Sequence, residues 1–243
     1  MKLSIITVVL NDHHNIEKTI QSILNQNIKL EYIVVDGSST DGTLEIIEKY
    51  KDNIDILISQ KDSGIYNAMN KAIEMASGEW ICFMNSGDVF YSTSVLQDFS
   101  VKMSDKDVDV YYGDHEVNYE EHTKIVKANN KIEDIWKRMV FSHQSCFVKK
   151  EVLSQYKFNE SNKITADYEL FYTLYKANKR FDYIPIVLSS VSAGGVSDIK
   201  RIDSIVSRWN ILEKSNKVNI YYLKLIIVEM LKSVVKKVLG KGS

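Results

Sequence analysis

Phe83-Met84-Asn85-Ser86-Gly87-Asp88 is the stretch around which the chain is organised. It ends an apolar run over residues 79–84 that is typical of a buried strand. Polar residues directly after such a strand lie at its carboxyl end, the edge at which open α/β sheets bind ligands. Gly87 permits a sharp turn, and Asp88 offers a hard oxygen ligand. The same residue types also make an ordinary strand-to-loop turn, so this stretch alone leaves both interpretations open.

The first half of the chain alternates between strand and helix patterns. Strand patterns cover residues 3–9, 32–35, 54–58 and 79–84, and amphipathic helix patterns lie between them at residues 16–24, 44–47 and 65–76. This order predicts an α/β fold with a mostly parallel central sheet flanked by helices. No Gly-x-Gly-x-x-Gly follows the first strand, so the phosphate fingerprint of a dinucleotide-binding fold is missing.

The second half of the chain is less regular. Strand patterns cover residues 108–113, 116–119, 124–126 and 181–191, and helix patterns cover residues 132–140, a segment that starts near Asp167, and residues 203–214. There is no internal repeat and no low-complexity linker. The sequence therefore predicts one domain that ends in a helical tail.

Composition indicates an ordinary globular protein of 243 residues with a net charge of −1, which gives no reason to expect nucleic-acid binding. Cys82 and Cys146 do not have the spacing of metal ligands and suit a reducing cytoplasm. The first residues run straight into a strand pattern rather than a signal peptide, and no apolar stretch is long enough to span a membrane. We therefore expect a cytoplasmic protein.

All four strands of the first half end in polar residues. These ends are residues 11–12, Asp36, residues 59–62 and residues 85–88, and in a parallel sheet they share one edge. Carboxylates, amides and hydroxyls there suit the base and ribose of a nucleotide, and a diphosphate suits a divalent metal held by one or two carboxylates. For Asp12 and Asp41 we favour the simpler interpretation of a helix cap or turn residue, since each precedes a helix pattern.

A series of short motifs in register resembles the inverting family 2 glycosyltransferases with the GT-A fold. The nearest likeness is to bacterial exopolysaccharide enzymes of the colanic-acid type, and it covers about residues 3–200. Each motif is weak alone, but their order makes the set specific. The motifs are Ser4-Ile5-Ile6-Thr7, residues 34–43, residues 62–71, Asn85-Ser86-Gly87-Asp88, His143-Gln144, Ala166-Asp167-Tyr168 and Gly194-Gly195-Val196-Ser197.

The resemblance implies a role for each matching residue. Asp167 matches the position of the catalytic base, and Asp88 falls in the Asp-x-Asp metal region, which implies a Mn²⁺ or Mg²⁺ cofactor. His143, Gln144, Gly195 and Ser197 would lie near the acceptor or the diphosphate; for His143 a structural hydrogen bond is an equally good interpretation. The donor-binding residues implied are Thr7, Val9, Asn11, Asp36, Asp62, Asn70, Asn85, Ser86 and Gly87.

The chain departs from the family pattern at its acids. Gly37 replaces a common second aspartate, Asn85 and Gly87 replace carboxylates, and Ala166 replaces the glutamate that commonly precedes the base. These departures leave Asp88 as the acid of its motif. An amide and one carboxylate can still hold a divalent ion when donor phosphates supply further ligands.

The resemblance implies a GT-A catalytic domain over residues 1–218, with a nucleotide-binding half over about 1–100 and an acceptor-binding half over about 101–218. Residues 219–243 form a basic amphipathic tail in which Val228, Leu231 and Val235 share a stripe. This tail either docks on the domain or lies on an anionic membrane at the inner face of the cell.

The implied activity is transfer of a sugar from a nucleotide-sugar, such as a UDP-sugar, to a hydroxyl of a lipid-linked glycan. The product would be a surface polysaccharide such as an exopolysaccharide, a capsule or a lipopolysaccharide, formed with inversion at the anomeric carbon. A sugar nucleotidyltransferase and a non-catalytic sugar-nucleotide or glycan-binding module are the alternatives. The first of these commonly has a Gly-rich loop with Arg or Lys after the first strand, where this chain has Asn11-Asp12-His13-His14.

Overall fold

The computed structural model describes residues 2–103, 107–119, 121–194 and 199–238. Its first half is the predicted parallel sheet, with the strands in the order β3-β2-β1-β4. The strands are β1 (Leu3–Val9), β2 (Glu31–Asp36), β3 (Ile56–Ser59) and β4 (Trp80–Phe83). The helices between them are α1 (Ile16–Leu24), α2 (Thr43–Glu48) and α3 (Ile65–Met75).

The second half extends the same sheet. Its strands are β5 (Val89–Phe90), β6 (Val110–Asn118), β7 (Thr123–Val126), β8 (Cys146–Lys149) and β9 (Phe181–Ser192). Its helices are α4 (Val95–Lys102), α5 (Lys150–Tyr156), α6 (Ala166–Lys176), α7 (Arg201–Ile211) and α8 (Asn216–Val238). The sheet continues from β4 as β8-β6-β9-β5, and β7 pairs with β6. Because β8 pairs antiparallel with β4 and with β6, the sheet as a whole is mixed.

The direction of β8 decides what lies beside the end of β4. In this antiparallel pair, Trp80 is opposite Lys149 and Ile81 is opposite Val148. The residues that precede β8 therefore lie next to the residues that follow β4. A parallel β8 would have placed those residues at the opposite edge of the sheet.

The sheet is packed on both faces, as a parallel sheet requires. Alternate residues of β1 point to opposite sides, so Ile6 and Val8 join one hydrophobic cluster and Ile5 and Val9 join the other. The α/β fold with flanking helices and a C-terminal helix is confirmed.

Several predicted elements have different bounds. The two strands expected at residues 108–113 and 116–119 are one strand, β6 (Val110–Asn118), and the helix expected at residues 132–140 is a short 3₁₀ turn at Ile132–Trp136. Strand β8 and helix α5 were not predicted, because Cys146–Lys149 is too short to show a period.

The start of helix α8 belongs to the domain core. Tyr222 is fully buried, its hydroxyl donates to the Trp136 carbonyl at 2.9 Å, and its ring stacks on Trp209. The division predicted at residue 219 therefore falls inside a helix whose first turns are packed against the domain. Beyond Glu229 the described side chains are exposed.

A pair of neighbouring substitutions tests this packing. Tyr222→Ala should lower the free energy of unfolding by about 3–5 kcal/mol, since it opens a cavity among aromatic rings. Leu223→Ala, on the exposed side of the same helix turn, should change it by less than about 0.5 kcal/mol. Chemical denaturation measures both values. Equal losses in the two variants would contradict the assignment of Tyr222 to the core.

Candidate active site

The loops that follow the first four strands meet at one edge of the sheet and are joined by side-chain hydrogen bonds. Ser86 Oγ, after β4, donates to Asp12 Oδ2, after β1, at 2.7 Å. Ser59 Oγ, at the end of β3, donates to Asp36 Oδ2, at the end of β2, at 2.6 Å. The polar strand ends that the sequence places at one edge are therefore together in the structure.

Asn11 lies exposed at this edge in a left-handed conformation, with φ of 52°. Its amide oxygen accepts from the Thr40 N–H at 2.8 Å, and its own N–H donates to Ser39 Oγ at 2.8 Å. Asparagine tolerates this backbone conformation better than most residues. Asn11 thus joins the loop after β1 to the loop after β2 while remaining open to solvent.

Asp36 is fully buried and already has partners in the protein. Its carboxylate accepts from the Ser39 N–H at 3.1 Å as well as from Ser59. Because Asp36 is fully buried, a uracil imide could reach its carboxylate only if the surrounding loops moved. A Cβ at Gly37 would lie 2.8 Å from Asp62 Oδ2. The Asp62 carboxylate thus occupies space that a side chain at position 37 would need.

Two of the residues expected to bind the donor, Thr7 and Val9, lie inside the protein. Thr7 is fully buried, and its hydroxyl donates to the Met84 carbonyl at 2.8 Å and accepts from the Tyr32 hydroxyl at 3.1 Å. Val9 is 7% exposed, and its carbonyl accepts from the Gly37 N–H at 2.9 Å. The structure therefore gives both residues the role of supporting the loops rather than a free surface for a ligand.

Asn70 is buried and holds a distant segment of the chain. Its amide oxygen accepts from the Phe158 N–H at 2.9 Å, and its amide nitrogen donates to the Phe158 carbonyl at 2.9 Å and to Glu160 at 3.0 Å. Asn67, on the same helix, also donates to Glu160, at 2.9 Å. Because its polar atoms have these partners, Asn70 ties α3 to the segment that leads towards α6.

Asp167 lies in the first turn of α6, with its side chain 25% exposed. One carboxylate oxygen is 3.5 Å from His143 Nδ1, and the other is 3.4 Å from the Tyr66 hydroxyl. Burial alone would raise the pKa of Asp167, but the hydrogen bond from His143 acts in the opposite direction, and the pKa lies below its ordinary value. Asp167 is therefore ionised at neutral pH.

His143 joins Asp167 to the loop after β4. Its Nδ1 faces Asp167, and its Nε2 is 3.2 Å from the Asn85 amide nitrogen. An Nδ1–H that donates to Asp167 leaves a lone pair on Nε2, which the Asn85 N–H can fill. A carboxylate at position 85 could not make that donation, which gives a physical reason for the amide found there.

Asp88, in the loop after β4, is 8% exposed. It accepts from Gln144 Nε2 at 2.7 Å, and Gln144 in turn accepts from the Ser142 hydroxyl at 2.5 Å. The Ser192 N–H, at the end of β9, is 3.4 Å from the other carboxylate oxygen. Burial raises the pKa of Asp88, although the hydrogen bond from Gln144 acts in the opposite direction. Gln144 is therefore committed to Asp88.

The described residues fit a divalent ion only in part. They contain no group of three or more His, Cys, Asp or Glu side chains that could hold a metal. The loop after β4 nevertheless has one buried oxygen without a partner, Asn85 Oδ1, three residues before the Asp88 carboxylate. An amide oxygen and one carboxylate suit Mg²⁺ or Mn²⁺ when donor phosphates and water complete the shell. Such an ion would therefore depend on the nucleotide.

Gly87, Gly195 and Ser197 are the remaining residues that the resemblance assigns to the site. Gly87 has φ of 95°, and its N–H donates to Thr19 Oγ1 at 3.0 Å, so it forms the turn expected of it. Gly195 and Ser197 lie outside the described residues.

Sequence reasoning missed Tyr66 as a partner of Asp167, although its place in the first turn of α3 was a usable signal. Burial, then the nearby Asp167 charge, raises the pKa of Tyr66, so its hydroxyl remains a donor.

Comparison with known proteins is consistent with this geometry. The profile of Glycosyl transferase family 2 matches residues 4–171. The chain belongs to this family. Among curated relatives, glycosyltransferase AglE of Haloferax volcanii is 32% identical over 164 residues, which cover 62% of this chain and 53% of AglE. The putative teichuronic acid biosynthesis glycosyltransferase TuaG of Bacillus subtilis is 38% identical over 90 residues, covering 35% of this chain and 36% of TuaG.

The chain thus spans about half or less of these relatives. Among solved structures, S. aureus TarS 1-349 in complex with UDP-GlcNAc aligns with a TM-score of 0.71 at 19% identity, over 87% of this chain and 65% of TarS. Mannosyltransferase PcManGT from Pyrobaculum calidifontis, in complex with GDP-Man and Mn²⁺, aligns with a TM-score of 0.67 at 18% identity, over 89% of this chain and 66% of its own. These likenesses confirm the GT-A-like fold.

Asn70 offers a test that separates support from ligand binding. Asn70→Ala should lower the free energy of unfolding by about 2–3 kcal/mol, because it leaves the Phe158 N–H and carbonyl unpaired in the interior. Asn67→Ala, which removes a more exposed contact, should cost less. UDP affinity measured by calorimetry at a temperature where both variants are folded should stay close to wild type. A loss of UDP affinity without a loss of stability would instead assign Asn70 to the nucleotide.

A second test concerns the metal. Calorimetry should detect no Mn²⁺ binding to the protein alone and measurable binding when UDP is present, since the side chains supply too few ligands. Asp88→Asn should weaken the Mn²⁺-dependent part of UDP affinity while the protein stays folded. An unchanged Mn²⁺-dependent affinity in that variant would remove Asp88 from the metal site.

Proposed function

We propose that this protein is an inverting glycosyltransferase that moves a sugar from a UDP-sugar to a hydroxyl of a glycan acceptor. The observation that carries the proposal is the position of Asp167. Its ionised carboxylate lies in a partly open site, and His143 joins it to the loop that starts at Asn85. A base and a donor-binding loop joined in this way are what a single displacement at an anomeric carbon requires.

The reaction follows from the chemistry of the acceptor. An alcohol is a poor nucleophile until its proton begins to leave, and Asp167 is the carboxylate placed to take that proton. The start of α6 favours the ionised form of an acid in its first turn. A divalent ion held with the donor phosphates would neutralise the charge of the departing diphosphate. One displacement without a covalent intermediate reverses the configuration at the anomeric carbon.

Relatives and similar folds support the choice of donor and product. TarS was solved with UDP and with UDP-GlcNAc, and TuaG is named for teichuronic acid biosynthesis. We therefore propose a UDP-sugar as donor and a surface polysaccharide, such as an exopolysaccharide, a capsule or a lipopolysaccharide, as product. Of the residues that the resemblance assigns to the donor, Asn11, Asp62, Asn85 and Ser86 are those that are not buried.

We also propose that the acceptor glycan is lipid-linked. An acceptor of that kind would keep the enzyme at the inner, cytoplasmic face of a cell membrane as a peripheral protein. Among the helices described, none is long and apolar enough to cross a bilayer. Attachment would then depend on a surface of the protein.

The decisive experiment compares two acids of the same helix turn. Asp167→Asn should lower kcat by roughly 10²–10⁴-fold, because an amide fills the same space but cannot accept the proton. Donor affinity and melting temperature should remain close to wild type. Glu169→Gln makes the same chemical change two residues away, where the side chain accepts from Asn159 and Asn162, and should leave kcat unchanged. Release of UDP with a verified acceptor measures both.

Two outcomes would contradict the proposal. Turnover like that of the wild type in Asp167→Asn would remove Asp167 from the mechanism. UDP-sugar binding without transfer to any glycan acceptor would favour the non-catalytic binding module.

A further inference from the structure

Helix α8 has an apolar face that no described residue covers. Eight of its apolar side chains are between 45% and 59% exposed: Ile220, Leu223, Ile227, Val228, Met230, Leu231, Val234 and Val235. At about 100° per residue they share an arc of roughly 160°, on the side of the helix opposite Tyr222 and Glu229. A continuous apolar face of this size indicates an interaction site.

Helix α7 begins on the other side of α8, beside Glu229. Ile199 is 77% exposed and Ile202 is 37% exposed. Both line a cavity of about 540 Å³ together with Glu229 and Lys232 of α8. Arg201 Nε lies 3.2 Å from Glu229, and Lys232 Nζ lies 2.8 Å from the same carboxylate. The exposed apolar arc of α8 and the cationic side chains beside it are called here the α7–α8 surface, since α7 packs along the back of α8.

The charge of this region identifies its partner. Residues 199–243 contain ten lysine and arginine residues against three acidic residues, whereas the whole chain has a net charge of −1. The cations are thus concentrated at the end of the chain that carries the exposed apolar face. Lys217 and Lys224 lie within or beside the apolar arc, where a long side chain can extend its ammonium group towards headgroup phosphates.

We propose that the α7–α8 surface lies on a bilayer that contains anionic lipids. The apolar arc would enter the boundary between headgroups and acyl chains, and Lys217 and Lys224 would meet the lipid phosphates. A parallel pair of these helices from two copies of the chain fits less well, because it would bring Lys217 and Lys224 close to their own counterparts. Lys224, Glu229 and Lys232 also interrupt the helix, so it lies on the bilayer rather than crossing it.

The chain connects this surface closely to the active site. The Ser192 N–H faces Asp88, and Arg201 begins α7. Nine residue steps separate them in the sequence, which limits their separation to about 30 Å. A protein resting on the α7–α8 surface therefore holds its donor-binding edge within reach of a glycan attached to lipid. The delivery of a lipid-linked acceptor is the one part of this inference that rests on the proposed function.

Sedimentation with vesicles tests the proposal on the full chain. The protein should sediment with phosphatidylcholine vesicles that contain phosphatidylglycerol, and much less with phosphatidylcholine alone. Ile227→Glu combined with Leu231→Glu should lower the partition coefficient at least about tenfold, since two inserted side chains become charged. Val101→Glu, which changes a 77% exposed residue of α4 in the same way, should bind like wild type.

Controls make each outcome decisive. The melting temperature and UDP affinity of the double variant should match wild type, which shows that any loss of sedimentation comes from the surface. Equal sedimentation of the double variant and wild type would overturn the proposal. A different pair of results would also overturn it: wild type forms a dimer in analytical ultracentrifugation without vesicles and does not sediment with vesicles, whereas the double variant is a monomer. A chain that sediments as expected but releases no UDP would refute the proposed function and leave the surface assignment standing.

Discussion

The antiparallel pairing of β8 with β4 is the constraint on which the candidate site depends. It places the residues before β8 against the residues after β4, so that His143 and Gln144 reach the loop that starts at Asn85. His143 also contacts Asp167, which comes from a helix that is not part of this strand pair. One dipeptide thus fixes the loop after β4 relative to Asp167, which lies far away in sequence. The loop after β4 and the start of α6 come from different halves of the chain, and they meet at one site because β8 runs antiparallel to β4.

Much of the sheet edge that carries the candidate site is built from polar side chains whose hydrogen bonds are already made within the protein. Asp36, Thr7, Asn70 and Asp88 are all buried, and each has a hydrogen-bond partner within the protein. Buried polar groups of this kind are costly unless they are paired, and once paired they hold the loops in a single arrangement. The more exposed residues of the edge rest on this layer, Asn85 among them. A ligand would therefore meet loops whose positions are already set.

Sequence patterns predicted the first half of the fold because they carry the needed information locally. A buried strand is a run of β-branched residues, its polar end marks an edge, and helical spacing separates one strand from the next. The direction of β8 has no such local signal, and four residues show no period, so the contacts of His143 could be expected only from resemblance. Thr7 and Asn70 show a different limit. Both lie in recognisable motifs, but only the packing reveals that their polar atoms already have partners.

For helix α8 too, the sequence predicted the element but not its contacts. Its amphipathic pattern allowed a helix docked on the domain or one lying on a membrane, and the structure contains the first of these at Tyr222 and an uncovered face further along. Hydrophobic periodicity identifies an apolar stripe but not what covers it. Here the fully buried residue of the helix is an aromatic side chain with a hydrogen bond to the domain, at Trp136. The aliphatic residues of the exposed face make no comparable contact among the described residues.

The central claim is that Asp167 assists one direct displacement, and the stereochemistry of the first product tests it most directly. Proton NMR can follow an α-linked UDP-sugar that the enzyme is found to hydrolyse slowly in the absence of acceptor. A single inverting displacement predicts that the β anomer of the free sugar appears first and that the α anomer grows only as the sugar equilibrates. Initial release of the α anomer would mean retention, which requires a different arrangement of catalytic groups and would contradict the direct displacement.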